Sequence, residues 1–77
     1  MESLINRITI DEKICNGKPV IRGQRITAQT ILEFLGAGDK PEDILKHYPT
    51  LEPDDIRACL LFASQLMGHN YTIRNVA

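Results

Sequence analysis

The chain has 77 residues, with nine basic and ten acidic side chains and a formal net charge of −1. That length predicts one domain, whose core alone supplies no more than ~3–5 kcal/mol of stability. The near-neutral balance excludes the strongly basic class of nucleic-acid-binding domain, and 43% apolar content fits an ordinary globular protein.

Charge is unevenly placed. Residues 1–32 hold five basic side chains (Arg7, Lys13, Lys18, Arg22, Arg25) against three acidic ones, whereas residues 33–57 hold seven acidic against three basic. A basic front and an acidic middle point to an anionic partner at the front. Cys15 and Cys59 match neither Cys-x-x-Cys nor Cys/His spacing. Reduced thiols in a cytoplasmic protein are therefore expected, with no metal and no cofactor. Nothing reads as a leader or a membrane span.

In chain order, short strands are expected over about 7–26. Arg7-Ile8-Thr9-Ile10 alternates polar and apolar residues, as a half-buried strand does. Asn16-Gly17 is a strong hairpin signal, because both residues tolerate the positive φ of a type I′ turn. A second, type II′ turn is expected at Gly23-Gln24, between Val20-Ile21-Arg22 and Arg25-Ile26-Thr27. Pro19 cannot donate to a ladder and marks an edge or a strand start.

From Thr27 the apolar period becomes helical, with Ala28, Ile31, Leu32 and Leu35 on one face. The spacing predicts helices over about 28–37, 41–48 and 53–67, followed by a tail over 68–77. Thr27 suits an N-cap, and Gly36-Ala37-Gly38 supplies a left-handed C-terminal residue. Asp39 and Glu42 bracket Pro41 in the manner of a capping box, with Ile44, Leu45 and Tyr48 facing inward. Pro53 and the carboxylates after it suit the positive end of a third helix dipole. Its inner face is read as Ile56, Cys59, Leu60, Ala63 and Met67. Leu61, Phe62 and Leu66 widen the apolar arc beyond what a monomer this small can cover, so they are candidate homodimer-interface residues.

These stretches carry a resemblance. Residues 14–26, Ile-Cys-Asn-Gly-Lys-Pro-Val-Ile-Arg-Gly-Gln-Arg-Ile, followed by Leu35-Gly36-Ala37-Gly38, Pro41-Glu42-Asp43-Ile44-Leu45 and Tyr48-Pro49-Thr50-Leu51, resemble a small prokaryotic family catalogued as domain of unknown function 433. The likeness runs from about Asp11 to Ala63. It implies an α+β fold in which a short N-terminal strand hairpin precedes a three-helix, helix-turn-helix-like (homeodomain-like) core. It also implies an antitoxin-like regulator of a type II toxin–antitoxin pair, with a PIN-like toxin protein and DNA as partners.

The side chains themselves favour binding over catalysis. His47 and His69 have no nucleophile or carboxylate spaced to act with either. No phosphate loop or dinucleotide fingerprint is present, so neither an enzyme nor a small-molecule substrate is expected. Lys18, Arg22, Gln24 and Arg25, with Arg57 on the third helix, are the candidate nucleic-acid contacts. In a two-residue hairpin Arg22 and Arg25 would stand opposite each other, which demands an anion between them. Nucleic acid and a carboxylate of the chain's own acidic middle both satisfy that demand. A helix-turn-helix reads bases with the start of its second helix, and here that start is Glu52, Pro53, Asp54 and Asp55, which would repel phosphate. The alternative function is thus a protein-interaction module that does not bind DNA. In the tail, Tyr71, Ile73, Arg74 and Val76 are more apolar and β-branched than a free terminus. They are expected either to pair with an edge strand of the chain's own dimer or to serve as partner contacts, docking on a toxin protein as an added strand.

Overall fold

The structure, a computed structural model, describes residues 3–68. A short 3₁₀ turn at Leu4–Arg7 leads into strand β1 (Ile8–Thr9), and strand β2 follows at Val20–Ile21. Three helices complete the order: α1 (Ala28–Gly36), α2 (Pro41–His47) and α3 (Pro53–Met67). The fold is α+β, a small antiparallel hairpin followed by three helices, with α2 and α3 in helix–turn–helix order.

The hairpin differs from the expected one. β1 pairs with β2 in the register Ile8↔Ile21 and Thr9↔Val20, across a connection of ten residues. Asn16 and Gly17 do take positive φ, 58° and 79°, and the Lys18 amide donates to the Cys15 carbonyl. Cys15 joins them at φ 50°. The dipeptide therefore sits in a left-handed turn inside the connection and joins no strands. Its neighbours satisfy their backbone groups locally, Ile14 N–H donating to the Asp11 carbonyl and Lys13 N–H to the Asp11 carboxylate.

The second turn also sits one residue earlier than expected. Arg22 (φ 48°) and Gly23 (φ 72°) are its central residues, and the Gln24 amide closes it onto the Ile21 carbonyl. Two positive φ values make it type I′ rather than type II′. The expected antiparallel pairing of Val20-Ile21 with Ile26-Thr27 does form, through a Val20↔Thr27 bridge and the Ile21 amide donating to the Ile26 carbonyl, but Arg22 and Arg25 fall in the connection between the two stretches. The residue opposite Arg22 is Arg7, whose carbonyl accepts the Arg22 amide at 2.7 Å.

Each helix starts and stops for a local reason. The Thr27 hydroxyl accepts the Thr30 amide at 3.1 Å and caps α1. At the other end Gly38 is left-handed (φ 99°). Gly38 N–H bonds to the Leu35 carbonyl and Asp39 N–H to the Phe34 carbonyl, a Schellman motif. Asp39 is thereby used to end α1. Contrary to the capping-box expectation, Lys40 stands at the N-cap of α2 with no side-chain cap bond, and Pro41 opens the helix. α3 also opens on proline, and the Asp55 carboxylate turns back to accept the Glu52 amide at 2.8 Å.

The core gathers Ile21, Ala28, Ile31, Ile44, Leu51, Ile56 and Cys59, flanked by Ile8, Ile26, Leu32, Phe34, Leu35, Leu45 and Tyr48. On α3 the inward face is rotated from the one expected. Its buried residues are Asp55, Ile56, Ala58 and Cys59, while Leu60 and Met67 are exposed. The displacement follows from the ion pairs of Asp55, which hold a carboxylate where only an apolar side chain was looked for.

Candidate functional site

Two features stand out, an ionic cluster at the start of α3 and an apolar groove at its end. The cluster centres on Asp55, which is fully buried. As third residue of α3 it points toward the hairpin, where the 3₁₀ turn before β1 and the turn after β2 deliver two guanidinium groups. Arg22 grips the carboxylate with both prongs, Nε to Oδ1 at 3.0 Å and Nη2 to Oδ2 at 2.9 Å. Arg7 Nη1 bonds Oδ1 at 3.0 Å and also Glu52 Oε1 at 2.6 Å. With the Glu52 amide on Oδ2, each oxygen of Asp55 accepts two hydrogen bonds.

That satisfaction decides the electrostatics. Burial pushes the Asp55 carboxyl pKa up, but the bonds from Arg22, the Glu52 amide and Arg7 outweigh it and leave the pKa below the usual carboxylate value. Both arginines are held charged, Arg7 by its bonds to Glu52 and Asp55 and Arg22 by its bond to Asp55. One turn further along α3, burial and the nearby Asp55 charge push the Cys59 thiol up to about 11.

The clamp extends to the loop between α2 and α3. Arg22 Nη2 also donates to the Thr50 carbonyl at 2.8 Å, and the Thr50 hydroxyl donates to Gln24 Oε1 at 2.8 Å. Of the candidate nucleic-acid contacts, Arg22 and Gln24 thus come together on this loop. Arg57 is exposed and bonds Asp54 Oδ1 at 3.3 Å, one helical turn back. Lys18 and Arg25 are exposed and take part in no ion pair among the described residues. Asp39, Asp43 and His47 recur every four residues and line a dent of about 190 Å³ beside Phe34. No cluster of three metal-type side chains occurs among the described residues.

Sequence reasoning missed Arg7 and Asp55 as members of the cluster. A signal was present, because Asp55 lies four residues before Cys59 on the face that packs inward. A carboxylate there has to be paired.

The groove of about 420 Å³ lies between α1 and the second half of α3. Ala28 and Leu32 wall it on one side, Phe62, Ala63 and Leu66 on the other, and Pro19 closes one end. Phe62 is half-buried there, whereas Leu61 (44% exposed) and Leu66 (55%) are open, as are Leu60 (49%) and Met67 (69%). Tyr71, Ile73, Arg74 and Val76 lie outside the described residues.

A family model described as "Protein of unknown function (DUF433)" matches residues 8–63, most of the chain. The chain belongs to that family. Its matched stretch holds Arg22, Gln24 and Asp55, with Arg7 just before it and Leu66 just after it. A crystal structure of a DUF433 member protein from Anabaena variabilis is similar over 82% of this chain, with a TM-score of 0.76 and 28% identity. The matched part spans 62% of that relative's length. No match was found among curated proteins. Among the described residues no helix is long and apolar enough to cross a membrane.

Proposed function

We propose that this chain works as a protein-interaction module with a helix-turn-helix-like fold, binding partners through apolar surface rather than reading DNA or catalysing a reaction. The observation that carries this reading is the state of the α3 N-terminus. A DNA-reading helix-turn-helix lays that end against bases and phosphates. Here it presents Glu52 and Asp54, and the cations around it are committed, Arg7 and Arg22 to Asp55 and Glu52 and Arg57 to Asp54. A phosphate approaching it would meet carboxylates and would have to displace bonds that Asp55 needs. The opposite end of α3 offers the reverse character, exposed leucines beside an apolar groove, which is how protein-contact surface differs from ordinary surface. A toxin protein of a type II pair is the partner class implied by the resemblance, and an antitoxin-like, cytoplasmic regulator is the biological role that suits such a module.

A second reading, DNA binding by the front of the molecule, is favoured by Lys18 and Arg25, which are exposed and lie in no ion pair among the described residues. Fluorescence anisotropy with a labelled random duplex at low salt separates the two. The module reading expects no binding up to about 100 µM, the weak end of non-specific affinity. Micromolar binding whose log–log salt slope falls by roughly 2 in a Lys18→Ala/Arg25→Ala variant, ~0.9 per phosphate contact, would establish the second reading instead.

A further inference from the structure

We infer that the groove between α1 and α3 is filled by a second copy of this chain, the C-terminal halves of the two α3 helices packing across a twofold axis. This names the partner of the apolar surface on which the interaction-module reading rests. The first ground is the geometry of α3. Asp55 and Cys59 are buried on its inward face, and Phe62 and Leu66 follow at i+7 and i+11 on the same face. Beyond Cys59, however, no residue of the described helix is buried. The core-facing stripe outruns the core: Phe62 is only half-buried and Leu66 is left 55% exposed.

Charge supplies the second ground. From Ala58 to Gly68 the sequence contains no Asp, Glu, Lys or Arg. Two copies of one chain meeting on a twofold axis place each surface against itself, so any net charge there would repel. An eleven-residue uncharged run satisfies that condition on α3, although the first turn of the same helix is acidic, and leaves Glu33 of α1 as the charged residue lining the groove.

The lining agrees. The groove is apolar on both walls, with Ala28 and Leu32 from α1 and Phe62, Ala63 and Leu66 from α3, so the uncharged end of a second α3 would meet surface of its own character. Leu66 in the groove wall is 55% exposed, and Leu60 (49%) and Met67 (69%), seven residues apart on an adjoining face of α3, are open as well, the kind of exposed apolar surface that marks a contact.

Sedimentation equilibrium of the full chain from about 1 to 100 µM tests this. The parent is expected to dimerise with micromolar affinity, and Leu66→Glu to weaken dimerisation at least about 100-fold with an unchanged circular dichroism spectrum. Gln29→Glu, on an exposed side chain that lines the groove, serves if Leu66→Glu does not fold. A parent that is monomeric at 100 µM overturns the inference, as does a dimer indifferent to both variants. In the monomeric case, truncation after Gly68 identifies the occupant: new binding of an apolar dye would assign the groove to residues 69–77. DNA binding in the anisotropy experiment bears on the module reading alone, so the two failures are distinguishable.

Discussion

Replacing Asp55 with asparagine is expected to cost about 3 kcal/mol of folding stability. The side chain keeps its shape but exchanges one acceptor oxygen for an amide donor. In the native site Oδ1 faces Arg22 Nε and Arg7 Nη1, while Oδ2 faces Arg22 Nη2 and the Glu52 amide. Either orientation of the amide therefore sets a donor against two donors and forfeits two of four bonds. Hydrogen bonds to charged groups contribute ~1.5–3 kcal/mol each, and breaking a buried ion pair costs ~3–5 kcal/mol. The lower end applies because the Arg7 and Arg22 side chains keep 17% and 36% exposure and regain some water. For a domain of this size ~3 kcal/mol lowers Tm by about 12–24 °C, which is most of the stability a core this small provides. Thermal melts of the parent, Asp55→Asn and an Arg25→Ala control measure it, the control staying within about 0.5 kcal/mol of the parent. A shift under about 4 °C for Asp55→Asn would show that the clamp contributes little.

Acid should act through the same carboxylate. Because the folded pKa of Asp55 lies below its unfolded value, its contribution is complete above about pH 4, the ordinary carboxylate range, and is lost as pH falls through the folded pKa. Urea midpoints between about pH 7 and 2 are expected to drop more steeply on the acid side in the parent than in Asp55→Asn; parallel curves would contradict this. The two thiols should also separate. Cys59 is buried with its pKa pushed up to about 11, while Cys15 is only partly buried. A thiol reagent near pH 8 is expected to label Cys15 in the native protein and Cys59 only after denaturation, and equal rates would argue for an open core.

The helices were legible because their signals are local. Thr27, Gly38, Pro41 and Pro53 set boundaries within a residue of those observed, each through a bond or a φ that involves near neighbours. The strands were not, since two-residue strands are too short for alternation to register. Asn16-Gly17 and Arg22-Gly23 do adopt the turn conformations that such dipeptides favour. What joins β1 to β2, however, is pairing at a separation no dipeptide encodes. The reasoning about opposed arginines failed in the same way. Two of them do face each other with an anion between, but the partner of Arg22 is Arg7, brought alongside by the pairing of β1 with β2, while Arg25 stays in the connection on the other side. The anion is Asp55, a carboxylate of the acidic middle. As for the candidate site, the open leucines of α3 were visible as excess apolar residues. The rotation of the helix that leaves Leu60 and Met67 outside was not, because it is fixed by ion pairs spanning 33 and 48 positions.

The shared carboxylate also governs how this small molecule comes apart. Arg7 arrives from the N-terminal segment, Arg22 from the hairpin turn, and Asp55 from the last helix, so three distant stretches of chain meet on two oxygen atoms. Peeling the hairpin away while the helices stay packed would strand a buried negative charge without its counter-ions. Loosening the first turn of α3 would strip both guanidinium groups of their carboxylate and leave only the turn's own backbone bonds to hold Arg22 left-handed. Partial opening is penalised from either side, and the hairpin and helices are left to unfold as one cooperative unit.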